Sequence, residues 1–484
     1  MSRSTAALLV LAVYCVALIC IATWGTRRTH TANDFFLASR RMDTWLVALS
    51  HVANASPLWL LFVIAGAAFA WGLAAVWICV AVVGGYILNM FYVAPRLRAL
   101  SVGQGSVTLV QVLSAGVGDR VQPLVVRSAA LILGITLLLE IGAVLHTASD
   151  AFATGFGFDA STFSITAMIV IVAATLVGGY WSTSLNDALQ VGLVLLIVAL
   201  TSSLAFMVRD DVEQFRIALQ ALGPASTDWF GGRSGVVAIA FVLGVAGFGF
   251  ALPGQPHAVQ RFMGARDERT LRIARWIALP CIMLLLGGML LSGWGAAVLY
   301  AGLETPEQAL LVLAERALPP QLSAVIVTLL LCVLVAAIAN RLLVLASSLA
   351  ADLKRPTAQL SFEWARVVLV LCAIVALCFA LYAHDSLLNQ ALFAFSALGA
   401  AFGPLLLVLL AGKRVRPGST LGAMWAGFTL TLLFHLLPDA PGDFLERVLP
   451  FVASLGIALT GGERRRNPDR ADRAEQTVHD RIPI

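Results

Sequence analysis

Apolar residues run along this chain in blocks of about twenty, separated by short polar connections, and a block of that length is what a helix needs to cross a bilayer. The pattern predicts thirteen spans, near 5–24, 44–70, 73–94, 127–150, 161–180, 187–208, 234–257, 275–300, 321–350, 364–383, 387–411, 419–437 and 446–461. Two blocks are interrupted. The stretch LSHVANASPLWLL, residues 49–61, puts His51, Asn54, Ser56 and Pro57 inside the second span. The stretch GFALPGQPHAVQRFM, residues 249–263, puts Pro253, Gly254, Gln255, Pro256 and His257 near the end of the seventh. Proline cannot donate the helical hydrogen bond and collides with the preceding turn. Backbone freed in this way survives at membrane depth only inside protein or beside a polar cavity. A proline kink accounts for either interruption alone, but the two lie five spans apart. Transporters built from inverted five-helix repeats carry discontinuous helices at corresponding positions, with solute and ions bound at the breaks.

Composition agrees with a polytopic membrane protein. The 484 residues are 60% hydrophobic and 12% charged, with a mean hydropathy of +0.89, against about 25% charged in soluble domains. The net charge of +5 does not indicate nucleic acid, because the basic residues sit in short connections between spans. Counted by connection, 25 of the 32 Lys and Arg fall on one side, six on the other, and Arg341 falls within a span. The positive-inside rule then predicts an outside N-terminus and a cytoplasmic C-terminus. This count assigns Arg261 to a cytoplasmic connection. The first block, Ser4 to Trp24, reads as a retained span, since only Arg3 precedes it and no small-residue cleavage site is evident. Cys15, Cys20, Cys79, Cys281, Cys332, Cys372 and Cys378 lie in apolar stretches without metal-ligand spacing and read as packing residues. The polar tail, residues 462–484, predicts no packed structure.

Five segments then carry a resemblance. DFFLASRRM…LVALSHVANASPLWLL…GAAF, LVGGYWSTSLNDALQ, GQPHAVQRFMGARD, NRLLVLASSLAADL and ALGAAFGP occur in order between about residues 34 and 460. Together they resemble the solute:sodium symporter family, above all its sodium/proline branch. The resemblance implies an all-α, LeuT-like fold with a five-plus-five inverted repeat. Its expected divisions are 1–43 for the first span and loop, and 44–208 and 234–411 for the two repeats. Two further spans at 412–461 and a cytoplasmic tail at 462–484 complete it.

The resemblance also implies site positions, and here the sequence departs from the family. The main sodium site falls on Ala53 and Ser56 of the second span and on Val333, Ala336 and Ala337 of the ninth. Ala336 and Ala337 stand where the family has a Ser/Thr pair, and Ala55 stands where the branch is acidic. A hard cation needs several oxygen ligands, which alanine side chains do not supply. Sodium or a proton therefore remains as coupling ion, and no other cofactor or metal is expected. Glu140 and Arg341 are intramembrane charges, which are costly and face a partner or a cavity. They are expected either to pair and lock helices or to serve in coupling or solute contact, with Arg341 reaching the emptied sodium site. Asp187 matches an acidic residue of a second sodium site and equally fits a helix N-cap. His51 and His257 are candidate proton carriers or hydrogen-bonded structural residues. The expected solute pocket comprises Asn54, Trp59, Glu140, Phe248, Leu252 and Gln255, although Leu252 replaces an aromatic of the branch.

The function expected is secondary active transport of a small organic solute across the cell membrane by alternating access, the solute being proline, another amino acid or a carboxylate. A proton-coupled or ion-independent exchanger on the same fold is an alternative, and so is a sensor or partner subunit that has lost transport. No nucleophile–base pair, metal cluster or phosphate loop points to an enzyme.

Overall fold

The computed structural model describes residues 2–55, 58–157, 159–207, 212–221, 223–300, 303, 306–352, 362–382, 387–437 and 443–464. Helix dominates, as the apolar blocks predict. α1 (Arg3–Thr26) leads into a short α2 (Ala32–Leu37). A capping box opens α2: Thr31 Oγ1 accepts from the Asp34 N–H, and the Asp34 carboxylate accepts from the Thr31 N–H. The second span is built from α3 (Thr44–Ala55) and α4 (Leu58–Trp71). Ser56 and Pro57, where the first interruption was expected, lie outside the described residues, and so do the side chains of Ala55 and Trp59. After a 3₁₀ turn at Gly72–Ala75, α5 (Val76–Ile87) runs through a π-turn into α6 (Ala94–Gln104). Next come α7 (Leu109–Ser114), the long α8 (Gln122–Phe156) and α9 (Ala160–Met207).

α9 is two helices joined at Gly179, whose φ of 54° and ψ of −145° leave the helical region. That combination is open to glycine and strained for other residues. A Cβ here would also come within 2.7 Å of the Phe35 ring. The sequence pattern left residues 181–186 as a connection, whereas they are helical. The chain turns at one residue, because a single glycine supplies the whole reversal.

α10 (Val212–Ala221) precedes α11 (Gly235–Ala251). The second interruption is explicit: α11 gives way to a 3₁₀ turn at Leu252–Gly254, Gln255 is extended, and α12 (Pro256–Met263) restarts the helix. The remainder is α13 (Glu268–Leu299), α14 (Ala309–Ala317), α15 (Pro320–Asp352), α16 (Phe362–Tyr382), α17 (Leu387–Leu410), α18 (Pro417–His435), α19 (Phe444–Arg447) and α20 (Leu449–Thr460). A two-stranded ribbon joins β1 (Lys413–Val415) to β2 (Gly462–Arg464), so both ends of the α18–α20 unit meet at one face of the bundle. Nine described helical stretches are long and apolar enough to cross a membrane unaided. Among these, α8, α15 and α17 are the most enclosed, while α1 and α9 turn most of their surface outward.

The basic end of the bundle is closed by backbone contacts. The Met42 N–H donates to Gly264 O at 3.1 Å, and the Arg266 N–H donates to Met42 O at 3.0 Å. Arg40 reaches Ser106 O at 2.7 Å, and Gln260 Nε2 reaches Phe36 O at 3.2 Å. These bonds hold α12 and its following turn against the α2–α3 and α6–α7 connections.

Candidate functional site

Four helices bring polar groups together beside the second interruption. α9 contributes Tyr180, Ser184 and Asp187, spaced four and three residues apart and therefore on one helix face. α12 contributes Arg261, which is fully buried. Its Nη2 lies 2.8 Å from Asp187 Oδ2, its Nη1 donates to Ser184 Oγ at 2.6 Å, and its guanidinium stacks 4.4 Å from the Tyr180 ring centroid. Asn54 of α3 donates from Nδ2 to Asp187 Oδ2 at 2.8 Å and to Ser50 O at 2.6 Å. Asn340 of α15 donates to the same Asp187 oxygen at 3.4 Å and also to Asn54 Oδ1.

A second ion pair stands next to this cluster. Arg341 Nε lies 2.9 Å from Glu140 Oε1, linking α15 to α8, with both side chains almost completely buried. Arg341 Nη1 also donates to Ala337 O at 3.1 Å, one turn back on its own helix. His257, at the start of α12, is buried. His51 Nδ1 meets Ala258 O at 3.2 Å, and its ring packs on Tyr86 and Phe262. Two guanidinium groups thus face two carboxylates in the protein interior.

Several expectations change. Asp187 is not an N-cap: it sits two turns past the Gly179 kink, inside a continuing helix, with its carboxylate committed to three side chains. Arg261 does not lie in a surface connection, because the close of the basic end carries it inward. Arg447, at the start of the last expected span, is also buried. The structure places four of the five positions matched to the sodium site. Ala336 packs with Tyr14, Leu18 and Cys332 against α1, Val333 is buried in the main core, and Ala53 is half-buried. The Ala337 carbonyl is taken by Arg341, and Ser56 lies outside the description. A cavity of about 20 Å³ does remain between α1, α9 and α15, lined by Thr175, Ser182, Thr183, Asn186, Ala336 and Ala339 among others.

The pocket residues divide in the same way. Asn54 and Glu140 belong to the polar clusters. Phe248, Leu252 and Gln255 face α5 and α17 at the second interruption. The Phe248 ring lies 6.3 Å from that of Phe395, Leu252 abuts Gly85, and Gln255 Nε2 donates to Phe395 O at 2.8 Å. Gln255 Oε1 is buried and meets no donor among the described residues. Arg261, Ser184, Tyr180 and Asn340 were missed from the sequence, although the 180–184–187 spacing was a signal within reach.

The chain is similar to known proteins. The profile of the sodium:solute symporter family matches residues 35–429. The osmoregulated proline transporter OpuE of Bacillus subtilis (strain 168) is 25% identical over 473 residues, covering 95% of each chain. The sodium/proline symporter of Staphylococcus aureus (strain Newman) is 26% identical over 476 residues, covering 92% of each. Among solved structures, a substrate-bound, outward-open Na⁺-coupled sialic acid symporter superposes with a TM-score of 0.77 at 16% identity, over 96% of this chain and 99% of that one. A manganese transporter from Eremococcus coleocola superposes with a TM-score of 0.53 at 15% identity, over 90% and 96%.

Proposed function

The chain belongs to the sodium:solute symporter family, and on that footing we propose that its transport is not driven by sodium bound at the ninth-span positions. The family-level facts are plain: this is a multi-pass membrane transporter of LeuT-like fold that moves a small organic solute, and it is not an enzyme. The proposal concerns its coupling. One observation carries it: the Arg341 guanidinium, paired with Glu140, donates to the carbonyl of Ala337, a position where the side-chain oxygen of the family is missing. A guanidinium stays charged throughout the physiological range. It can hold the site's electrostatics but cannot come and go with each cycle, so it cannot pass on the energy of a sodium gradient. Coupling then rests on protons, with Glu140 the nearest titratable carboxyl, or on exchange of one solute for another.

The proposed solute is proline or a similar small molecule bearing a carboxylate, supported by the proline transporters among the relatives. The proposed setting is the cell membrane, with the N-terminus outside and the C-terminus cytoplasmic, supported by the basic connections. Residues 44–208 and 234–411 form the two proposed repeats. The test is uptake of labelled proline and a panel of small carboxylates into liposomes under an imposed sodium or proton gradient. Uptake should change little when potassium or choline replaces sodium, and Arg341→Ala should alter its dependence on the proton gradient. Strong sodium-driven uptake by the native protein would sink the proposal.

A further inference from the structure

Arg447 belongs to α19, in the pair of helices that follows the two repeats. It stacks on the Phe248 ring at 4.2 Å from the centroid. Phe248 lies thirteen residues into α11, roughly 20 Å along its axis from Gly235, so the guanidinium sits at membrane depth. An ionisable residue there is expensive and points to function. Gly247 makes the approach possible, because a Cβ at that position would come within 2.5 Å of the Arg447 Cβ. The guanidinium is deeper than its partner: the Arg447 side chain is 6% exposed and that of Asp443 is 30% exposed.

Asp443 is unusual in two respects. It is a non-glycine residue in the left-handed region, at φ 51° and ψ 40°. It also occupies the N-cap of α19 without capping it, since its carboxylate is turned to Arg447. Strain of this kind, of order 1–3 kcal/mol, persists only where the surroundings impose it. A second carboxylate arriving at Arg447 would free Asp443 to satisfy the start of its own helix. The Phe248 ring beneath Arg447 packs in turn against Phe395, whose carbonyl accepts from Gln255, and the buried Gln255 Oε1 meets no donor among the described residues.

We propose that Arg447 receives the carboxylate of the incoming solute, with Asp443 holding the guanidinium until the solute displaces it. The aromatic pair Phe248 and Phe395 then lines the way to the second helix break. This inference rests on the reading of the protein as a carrier of small carboxylates entering from the face that carries α19.

The test uses purified full-length protein in liposomes, with labelled proline, a panel of small carboxylates and their matched carboxamides. The native protein should take up a carboxylate and discriminate against its carboxamide. In Arg447→Gln the KM for that carboxylate should rise at least about tenfold with kcat little changed, the loss expected for one charge-assisted hydrogen bond. Arg447→Lys should recover part of the affinity, and Asp443→Asn should lower KM by removing the competing carboxylate. A merely structural Arg447 would instead lower kcat and thermal stability together and leave the carboxamide discrimination intact. Native KM in Arg447→Gln, or carboxamide taken up as well as carboxylate, overturns the inference while leaving the transport reading in place. No uptake of any panel member by the native protein overturns both. If Arg447→Gln fails to fold, Asp443→Asn decides alone, and an unchanged KM in that variant overturns the inference.

Discussion

The two interior ion pairs, Asp187–Arg261 and Glu140–Arg341, have nearly the same length, burial and chemistry, yet their surroundings differ. Arg261 is held by Asp187, Ser184 and the Tyr180 ring, and Asp187 in turn is held by Asn54 and Asn340. That network ties α3, α9, α12 and α15 at the end of the bundle closed by backbone bonds. Arg341 has one carboxylate and a carbonyl of its own helix as its described partners, and it joins α8 to α15, which already pack along their length. The first arrangement is a brace, in which every member loses if one is removed. The second joins α8 to α15, and the proposed role in coupling would account for the cost of burying it.

The largest effect that would test this contrast is at the brace. Asp187→Ala or Arg261→Ala leaves a buried charge uncompensated and should cost about 3–5 kcal/mol, read as a large fall in the thermal unfolding temperature in detergent. The double replacement Asp187→Leu with Arg261→Leu should recover little, because Asn54, Asn340 and Ser184 each then lose a hydrogen bond to a charged partner, at about 1.5–3 kcal/mol apiece. The corresponding Glu140→Leu with Arg341→Leu should stay within about 1 kcal/mol of native or be more stable, as replacing a buried pair by apolar residues often is. It should nonetheless lose gradient-driven uptake. If both doubles behave alike, the distinction between the brace and the second pair fails. The smallest effect is expected at the exposed pair of Arg416 and Glu463, 2.7 Å apart across the terminal ribbon. Glu463→Gln should change stability by no more than about 1 kcal/mol, giving the exposed reference against which both buried pairs are measured.

Much of this architecture is written locally. Apolar blocks give the helices, and Pro253, Gly254 and Pro256 give the second interruption, since each acts on its own stretch of backbone. Glu140 and Arg341 stood out as charges within blocks. Arg261 did not, because a count of basic residues assigns it by its position between blocks, and Arg447 sits at the very edge of the last block. Burial depends instead on what the rest of the fold brings to meet the side chain: Asp187 and Tyr180 in one case, Phe248 and Asp443 in the other. Gly179 was hidden for a similar reason. A Gly-Gly pair signals a turn, but only the neighbouring Phe35 fixes which residue takes it. Ala336 illustrates the limit of matching by resemblance, since its partner is α1, a helix outside the repeats.

The last helix has a consequence for how the protein is made. α20 has 12 residues, roughly 18 Å of helix, against a hydrocarbon core of about 30 Å. The segment leading into it carries Asp443, Glu446 and Arg447, and Asp and Arg each cost about 2.5–3.5 kcal/mol at the centre of an inserting helix. Such a segment is a poor substrate for the insertion machinery when it emerges alone. It becomes acceptable once α11 offers Phe248 and Gly247, and α18 offers His435 to Glu446. The segment from Asp443 through α20 is therefore expected to insert stably only once the earlier helices are in place to receive it.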